Sequence, residues 1–354
     1  MSVVPAGLPC DIWRYVSDFL QTPLLSHVCQ PLWHLLQHRW AHYGVTPETA
    51  ESITSALTRA DGPELPPHIH TARLRCKKLM PDVTHSLSVL KDSPTLTVLI
   101  MDLRGCSVGA AGGAALGALG HAPLLQTLSL DLRYNALGVE GAQGLAELRH
   151  SHSLESLDVN LAGNKVGPEG MQALAGLATL QSLRHLTLEL SDNALTDDGA
   201  RALAAVGSLT QLQTLDLGLH RNQIQAEGAE AFAAFTRLRA LETLHLGLRG
   251  NRVGLAGAKA FGALGQSPCL RNLKLDLGIN SNVEDEGAVA LAELHRSRTL
   301  RTVTLDLRGT TIGPEGAKGL GQFRDCPALD TLSLDLGDNV VQDEGAASLS
   351  ELKA

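Results

Sequence analysis

Two recurring positions in this chain carry groups able to bind or transfer protons. The first reads Asp102, Asp131, Asn160, Glu189, Gly218, Gly247, Asp276, Asp306, Asp335. The second, two residues further on each time, reads Arg104, Arg133, Ala162, Ser191, His220, Arg249, Gly278, Arg308, Gly337. A track of carboxylates can meet a basic peptide or protein surface. Alternatively each Asp neutralises the Arg two residues along, and duplication has simply copied the pair. Both readings stay open. Asn160, Glu189, His220, His245 and Lys274 break the copied pattern in the central units, where a partner is expected to touch. The candidate target-binding set is Asp131, Arg133, Asn160, Glu189, His220, His245, Arg249, Lys274, Asp276, Asp306 and Arg308. No group of ligands has a recognised metal spacing, so neither metal nor cofactor is expected. G-x-S-x-G, G-x-x-x-x-G-K-[ST], H-E-x-x-H and a strand-opening G-x-G-x-x-G are all missing, and the chain is not expected to be an enzyme.

The elements that must position these residues follow from a repeat. Leu125, Leu128, Leu130, Leu132 and Asn135 return as Leu154, Leu157, Val159, Leu161 and Asn164, and the frame starts again at Leu183, Leu212, Leu241, Leu270, Leu300 and Leu329. One earlier unit begins at Leu96. The glycines Gly112, Gly141, Gly170, Gly199, Gly228, Gly257, Gly287, Gly316 and Gly345 keep a period of 29, apart from one step of 30 caused by an insertion in Asn280–Asn282. Alternation at Leu128, Leu130 and Leu132 predicts a strand with one buried face and with Thr127, Ser129, Asp131 and Arg133 outward. The half beginning at Glu140 and Gly141 has apolar residues three to four apart and predicts a short helix. Phe232, Phe235, Phe261 and Phe323 fall on its core positions. A unit this size cannot bury its apolar face alone, whereas stacked units share a continuous core. The Asn column (Asn135, Asn164, Asn193, Asn222, Asn251, Asn280, Asn339) is expected to bond backbone groups where the chain leaves the strand. Cys106 and Thr310 replace it in two units, predicting a weaker ladder there.

This pattern resembles the leucine-rich repeat, most closely its ribonuclease-inhibitor-like class, over residues 96–354. The resemblance implies an α/β solenoid: a horseshoe with a parallel concave sheet and convex helices. An additional x-L pair, Asp131 and Leu132 in the type unit, predicts strands two residues longer and a wider concave sheet than usual. A degenerate unit at 69–95 is expected to cap nine repeats over 96–354.

Composition separates a second module. All three tryptophans, Trp13, Trp33 and Trp40, lie in the first 40 residues with Tyr15 and Phe19. Residues 1–95 hold eight Lys/Arg and eight Asp/Glu, so the net charge of −8 lies wholly in the repeats. An acidic repeat domain argues against nucleic acid as a partner. No apolar run is long enough to span a bilayer, and the start lacks a basic, apolar leader. Six cysteines without C-x-x-C spacing are read as reduced thiols of a cytoplasmic or nuclear protein.

Within residues 5–45, Ile12, Val16, Phe19 and Leu20 share one helix face, Pro23 can open a second helix, and Pro31 marks a break. A small all-α module follows from this, with 46–68 as a Pro- and Gly-bearing linker. The stretch from Leu8 and Pro9 through Ile12, Trp13, Val28 and Cys29 to Trp33 and Trp40 resembles an F-box. Trp33 lies four residues after Cys29 where three is usual, and Pro31 intrudes. The resemblance implies that Leu8, Pro9, Ile12, Val16, Leu20, Leu24 and Val28 contact the Skp-family adaptor of a cullin-based ubiquitin ligase. F-box followed by leucine-rich repeats would make the chain a substrate-recognition subunit holding an unidentified protein target. The alternative is a non-enzymatic scaffold or inhibitor whose N-terminal helices only cap the solenoid.

Overall fold

A computed structural model describes residues 40–46, 49–58, 69–76 and 86–352. The F-box-like positions Leu8, Pro9, Ile12, Val16, Leu20, Leu24 and Val28 lie outside the described residues.

The alternating leucines form strands, as expected. Eleven of them, β1 (Trp40–Val45), β2 (Thr71–Cys76), β3 (Val98–Asp102), β4 (Thr127–Asp131), β5 (Ser156–Asn160), β6 (His185–Glu189), β7 (Thr214–Gly218), β8 (Thr243–Gly247), β9 (Asn272–Asp276), β10 (Thr302–Asp306) and β11 (Thr331–Asp335), make one sheet in chain order. All pair in parallel, with each repeat in register with the next: Leu128 lies opposite Leu157, and Asp131 opposite Asn160. The helices are α1 (Ala50–Thr58), α2 (Gly109–Gly117), α3 (Gly138–Leu145), α4 (Gly167–Leu174), α5 (Asp197–Leu203), α6 (Ala226–Glu230), α7 (Gly254–Ala263), α8 (Glu284–Ala292), α9 (Pro314–Leu320) and α10 (Gln342–Ser350). From α2 to α9 each runs on into a 3-10 segment, such as Ala146–His150 after α3. The fold is therefore an α/β leucine-rich-repeat solenoid.

The core between sheet and helices is aliphatic. Leu128, Leu132, Leu154 and Leu186 are fully buried, and Phe232, Phe235 and Phe261 join them, with Phe232 and Phe235 stacked at 5.4 Å. Each such burial stabilises by roughly 1.5–3 kcal/mol. In β11, Leu332 and Leu334 are only partly buried, because no further repeat among the described residues packs on them.

Strand length differs from the expectation. β3 to β11 are five residues each, and the third apolar residue, Leu132, is buried just past the strand end. Its N–H still donates to Asn160 O at 2.8 Å, and Tyr134 N–H donates to Ala162 O at 3.0 Å. The additional pair thus prolongs the hydrogen bonding between repeats without prolonging regular strand. The cause is the next turn, which requires left-handed backbone: φ is +56° at Tyr134, +68° at Gly163, +56° at Asp192, +71° at Gly250 and +57° at Ile279.

Part of the stretch expected as a linker is helical. Residues 50–58 form α1, with Ala50, Ile53 and Leu57 buried in the same core as the repeats. Trp40–Val45, placed by sequence at the end of a helical module, is instead strand β1, paired with β2 from Trp40↔Thr71 to Val45↔Cys76.

Small residues set the spacing of the helices. A Cβ built on Gly113 would strike Gly141 O, one on Gly117 would strike Gly144 O, and one on Gly262 would strike Ala290 O. Helix backbones here touch directly.

Candidate protein-binding face

Turns between repeats are held by the asparagine column. Asn164, fully buried, accepts at Oδ1 from Asn135 N–H (3.0 Å) and Leu137 N–H (3.3 Å) of the preceding repeat. Its Nδ2 donates to Leu132 O (2.8 Å) and Leu161 O (2.9 Å). Asn135 and Asn193 make the same bridges. At Cys106 the thiol reaches Cys76 O at 3.4 Å, a weak substitute. At Thr310 the hydroxyl donates to Leu307 O within its own repeat, and Val283 N–H of the preceding unit turns back onto Asn280 O. The ladder is weaker at both sites, as the substitutions predicted.

This frame fixes the outward side chains. All eleven candidate residues lie on or just beyond the strands, on the face away from the core. They do not form one cluster. Arg133 makes two bonds to its own Asp131, 2.9 and 2.5 Å, and these hold the Asp131 carboxyl below the ordinary carboxylate range despite partial burial. Asn160 and Glu189 each accept from the backbone two residues on, at Ala162 N–H and Ser191 N–H.

From β7 to β11 the pairing crosses repeats. Arg249 has glycine, Gly247, where six of the nine units carry an acid, and it extends over Gly278 to Asp306 at 3.5 Å. Asp306 is also bonded by Arg308 at 2.7 Å, and Arg308 reaches Asp335 at 3.2 Å. Burial works to raise the Asp306 pKa, but the Arg308 bonds win and it lies below the usual value. The stacked carboxylates Asp276, Asp306 and Asp335, neighbours in register, are thereby interleaved with guanidinium groups. His220 lies over Gly247 and faces Asp276 at 3.9 Å, too long for a hydrogen bond, and its Nδ1 has no partner among the described residues. His245 faces Asp216 on β7 at 3.3 Å, so the two histidines serve different aspartates. Lys274 is exposed beside them.

Pairing within one repeat therefore accounts for Asp131 with Arg133 and Asp306 with Arg308, but not for the rest. Asp102 takes Arg75 of β2 at 3.3 Å. Asp216 and Arg75 belong to the face and escaped the sequence reading, while Gly218 and Gly247 stood in the acidic column without being read as its floor. Listing glycines in the acidic column was the available signal, since empty positions let longer neighbours lie flat.

Chemically the face offers hydrogen bonds and mixed charge. Among the described residues no cluster of three metal-ligating side chains exists, and no helix is long and apolar enough to cross a membrane. Cys76, Cys106, Cys269 and Cys326 are free thiols. Burial, with Cys106 and Asp102 nearby, pushes Cys76 up to about 12, so at neutral pH it is protonated and a poor nucleophile.

A leucine-rich-repeat family model matches residues 126–146, 150–175, 182–204, 208–233, 299–321 and 332–350. No curated protein matches the chain. Among solved structures, an internalin (inlF) of Listeria monocytogenes is similar at 16% identity and a TM-score of 0.42, covering 99% of this chain and 98% of that one.

Proposed function

From its build as leucine-rich repeats, we propose that this chain is a non-enzymatic protein-binding scaffold whose concave face over β6–β10 holds a protein target. The observation that carries this reading is the open parallel sheet, whose outward side chains form a continuous surface of exposed and half-buried polar groups. Histidine, lysine and unpaired polar atoms concentrate at its centre, where duplication has not imposed the Asp–Arg pair. We further propose that residues 8–40 dock a Skp-family adaptor, making the chain a substrate-recognition subunit of a cullin-based ubiquitin ligase in the cytosol or nucleus. That step rests on the F-box-like sequence. One observation favours the capping alternative: β1, which starts at Trp40, extends the sheet of the repeats, and α1 packs on their core.

Truncation at residue 46 would remove β1, so point substitutions give the cleaner test. Full-length chain and a Leu8→Asp/Ile12→Asp variant are co-expressed with a Skp-family adaptor. Recovery of adaptor with the first and its loss with the second, at unchanged melting temperature, is the expected outcome. Equal recovery, or none with either, sinks the adaptor reading. A fall in melting temperature without any adaptor binding establishes the cap.

A further inference from the structure

Near its N-terminal end the concave face departs from the copied pattern. The first two outward positions of β3 hold Val98 and Ile100. The same positions are polar in β2 and in β4 to β11, from Thr71 and Arg73 through Thr127 and Ser129 to Thr331 and Ser333. Both aliphatic side chains are half-buried, and they follow one another along the strand at about 6–7 Å. An aliphatic pair on a face otherwise copied as polar marks a contact surface.

The charges around this pair are unequal. Arg73 and Arg75 on β2, Arg104 beyond β3 and Arg133 beyond β4 stand against two carboxylates, Asp102 and Asp131. Arg75 takes Asp102 at 3.3 Å, and Arg133 closes on Asp131. Arg73 and Arg104 are exposed, and neither makes an ion pair among the described residues. Arg73 lies opposite Ile100 in register, one strand spacing of about 4.8 Å away. Arg104 follows Ile100 on the same face four residues along, about 13 Å. The next carboxylate in the row of Ile100, Asp158 on β5, accepts from the Ser129 hydroxyl at 2.9 Å. On the other side His42 of β1 faces Arg73 and brings no negative charge. In a chain of net charge −8, β2–β4 thus present two uncompensated guanidinium groups beside an aliphatic pair.

A partner that covers Ile100 also covers Arg73, and a charge taken out of water without a counter-charge is costly. Carboxylates supply that counter-charge, and the planar guanidinium fork meets them with two parallel hydrogen bonds. We propose that the concave face over β2–β4 is a docking site for an acidic, extended peptide segment of a partner protein. Two alternate aliphatic side chains of the segment pack on Val98 and Ile100. A carboxylate between them reaches across to Arg73, and one four residues further along meets Arg104. These strands lie outside β6–β10, so the site does not rest on the reading of that region.

The test uses the full chain and a synthetic 11-residue peptide with Leu at positions 5 and 7, Glu at 1, 6 and 11, and Ser elsewhere (design numbers from about 3.3 Å rise per residue). Either direction of this peptide sets a terminal carboxylate against Arg104. A control peptide has Gln in place of Glu. The protein variants are Ile100→Thr and Arg73→Ser/Arg104→Ser, residues that other repeats carry at these positions, as at Thr187, Ser129 and Ser191. Lys259→Gln/Lys318→Gln removes two exposed charges from α7 and α9 instead. Saturable binding by fluorescence anisotropy is expected, at least tenfold weaker for the arginine variant and for the Gln peptide. It is expected to be severalfold weaker for Ile100→Thr and unchanged for the lysine variant. The Gln peptide keeps the test decisive even where a protein variant unfolds. Equal binding by either concave variant, equal binding of the Gln peptide, an equal loss with the lysine variant, or no saturable binding overturns the proposal. Tighter binding of a single-stranded oligonucleotide, lost in the same arginine variant, would also overturn it, by giving the patch to nucleic acid.

Discussion

Replacing Asn164 with Ala removes one side chain and four good hydrogen bonds, and the structure indicates which of them matter. The amide accepts from Asn135 N–H at 3.0 Å and Leu137 N–H at 3.3 Å. Both donors are buried, and the described structure offers no other acceptor to either. An unsatisfied buried donor costs about 1–3 kcal/mol, so the two together cost roughly 2–6 kcal/mol. The two carbonyls that lose the Nδ2 group add less, since an under-satisfied carbonyl is better tolerated than an orphaned N–H. Against a total stability of about 5–15 kcal/mol this is a large loss. A repeat array feels it locally, so the measurement is hydrogen exchange at the Asn135 and Leu137 amides alongside urea unfolding followed by circular dichroism. Asn164→Thr is expected to behave nearly as badly, because a hydroxyl in this place turns to its own repeat, as Thr310 does. A loss under about 1 kcal/mol with unchanged exchange at both amides would refute the accounting.

Two further outcomes follow from single residues. Ile279 is β-branched, 56% exposed and left-handed at φ +57°, while Gly250 and Gly309 hold the same turn in the flanking repeats. Ile279→Gly is expected to raise stability by about 0.5–1 kcal/mol, relief of left-handed strain exceeding the added freedom of the unfolded chain, and a lower urea midpoint would contradict this. At Asp131, the Arg133 bonds depress the native pKa, so the pair stabilises the fold above the ordinary carboxylate value and loses that contribution as pH falls through the lower native one. Carbon-13 titration should find Asp131 below the usual carboxylate range in the native protein and higher in Arg133→Ala; no change between the two would show that the pair is not formed in solution.

The repeat was legible because nine copies vote on each position. A leucine present in every unit, or an asparagine in seven, cannot be mistaken for a local accident. Strand ends were not legible in the same way. Leu132 obeys the alternation and is buried, yet the left-handed turn at Tyr134 ends the strand at Asp131. The helix α1 was hidden because the prolines around it outweighed its short apolar face, and only packing against the core shows it. On the concave face, columns listed each residue's nearest neighbours, but the reach of Arg249 to Asp306 depends on the space above Gly278. Side-chain length matters there as much as sequence position.

The direct helix contacts at Gly113, Gly117 and Gly262 have a geometric consequence. Strands repeat every ~4.8 Å, whereas packed helices ordinarily sit about 8–10 Å apart. That mismatch makes a stack of such units bend. Glycine and alanine at the helix contacts narrow the outer spacing and so lengthen the radius of the arc. Curvature is thus governed from the back of the molecule by residues that no partner on the front would touch. Enlarging a single one would rotate every strand beyond it, and with them the Asp, Arg and His groups they carry.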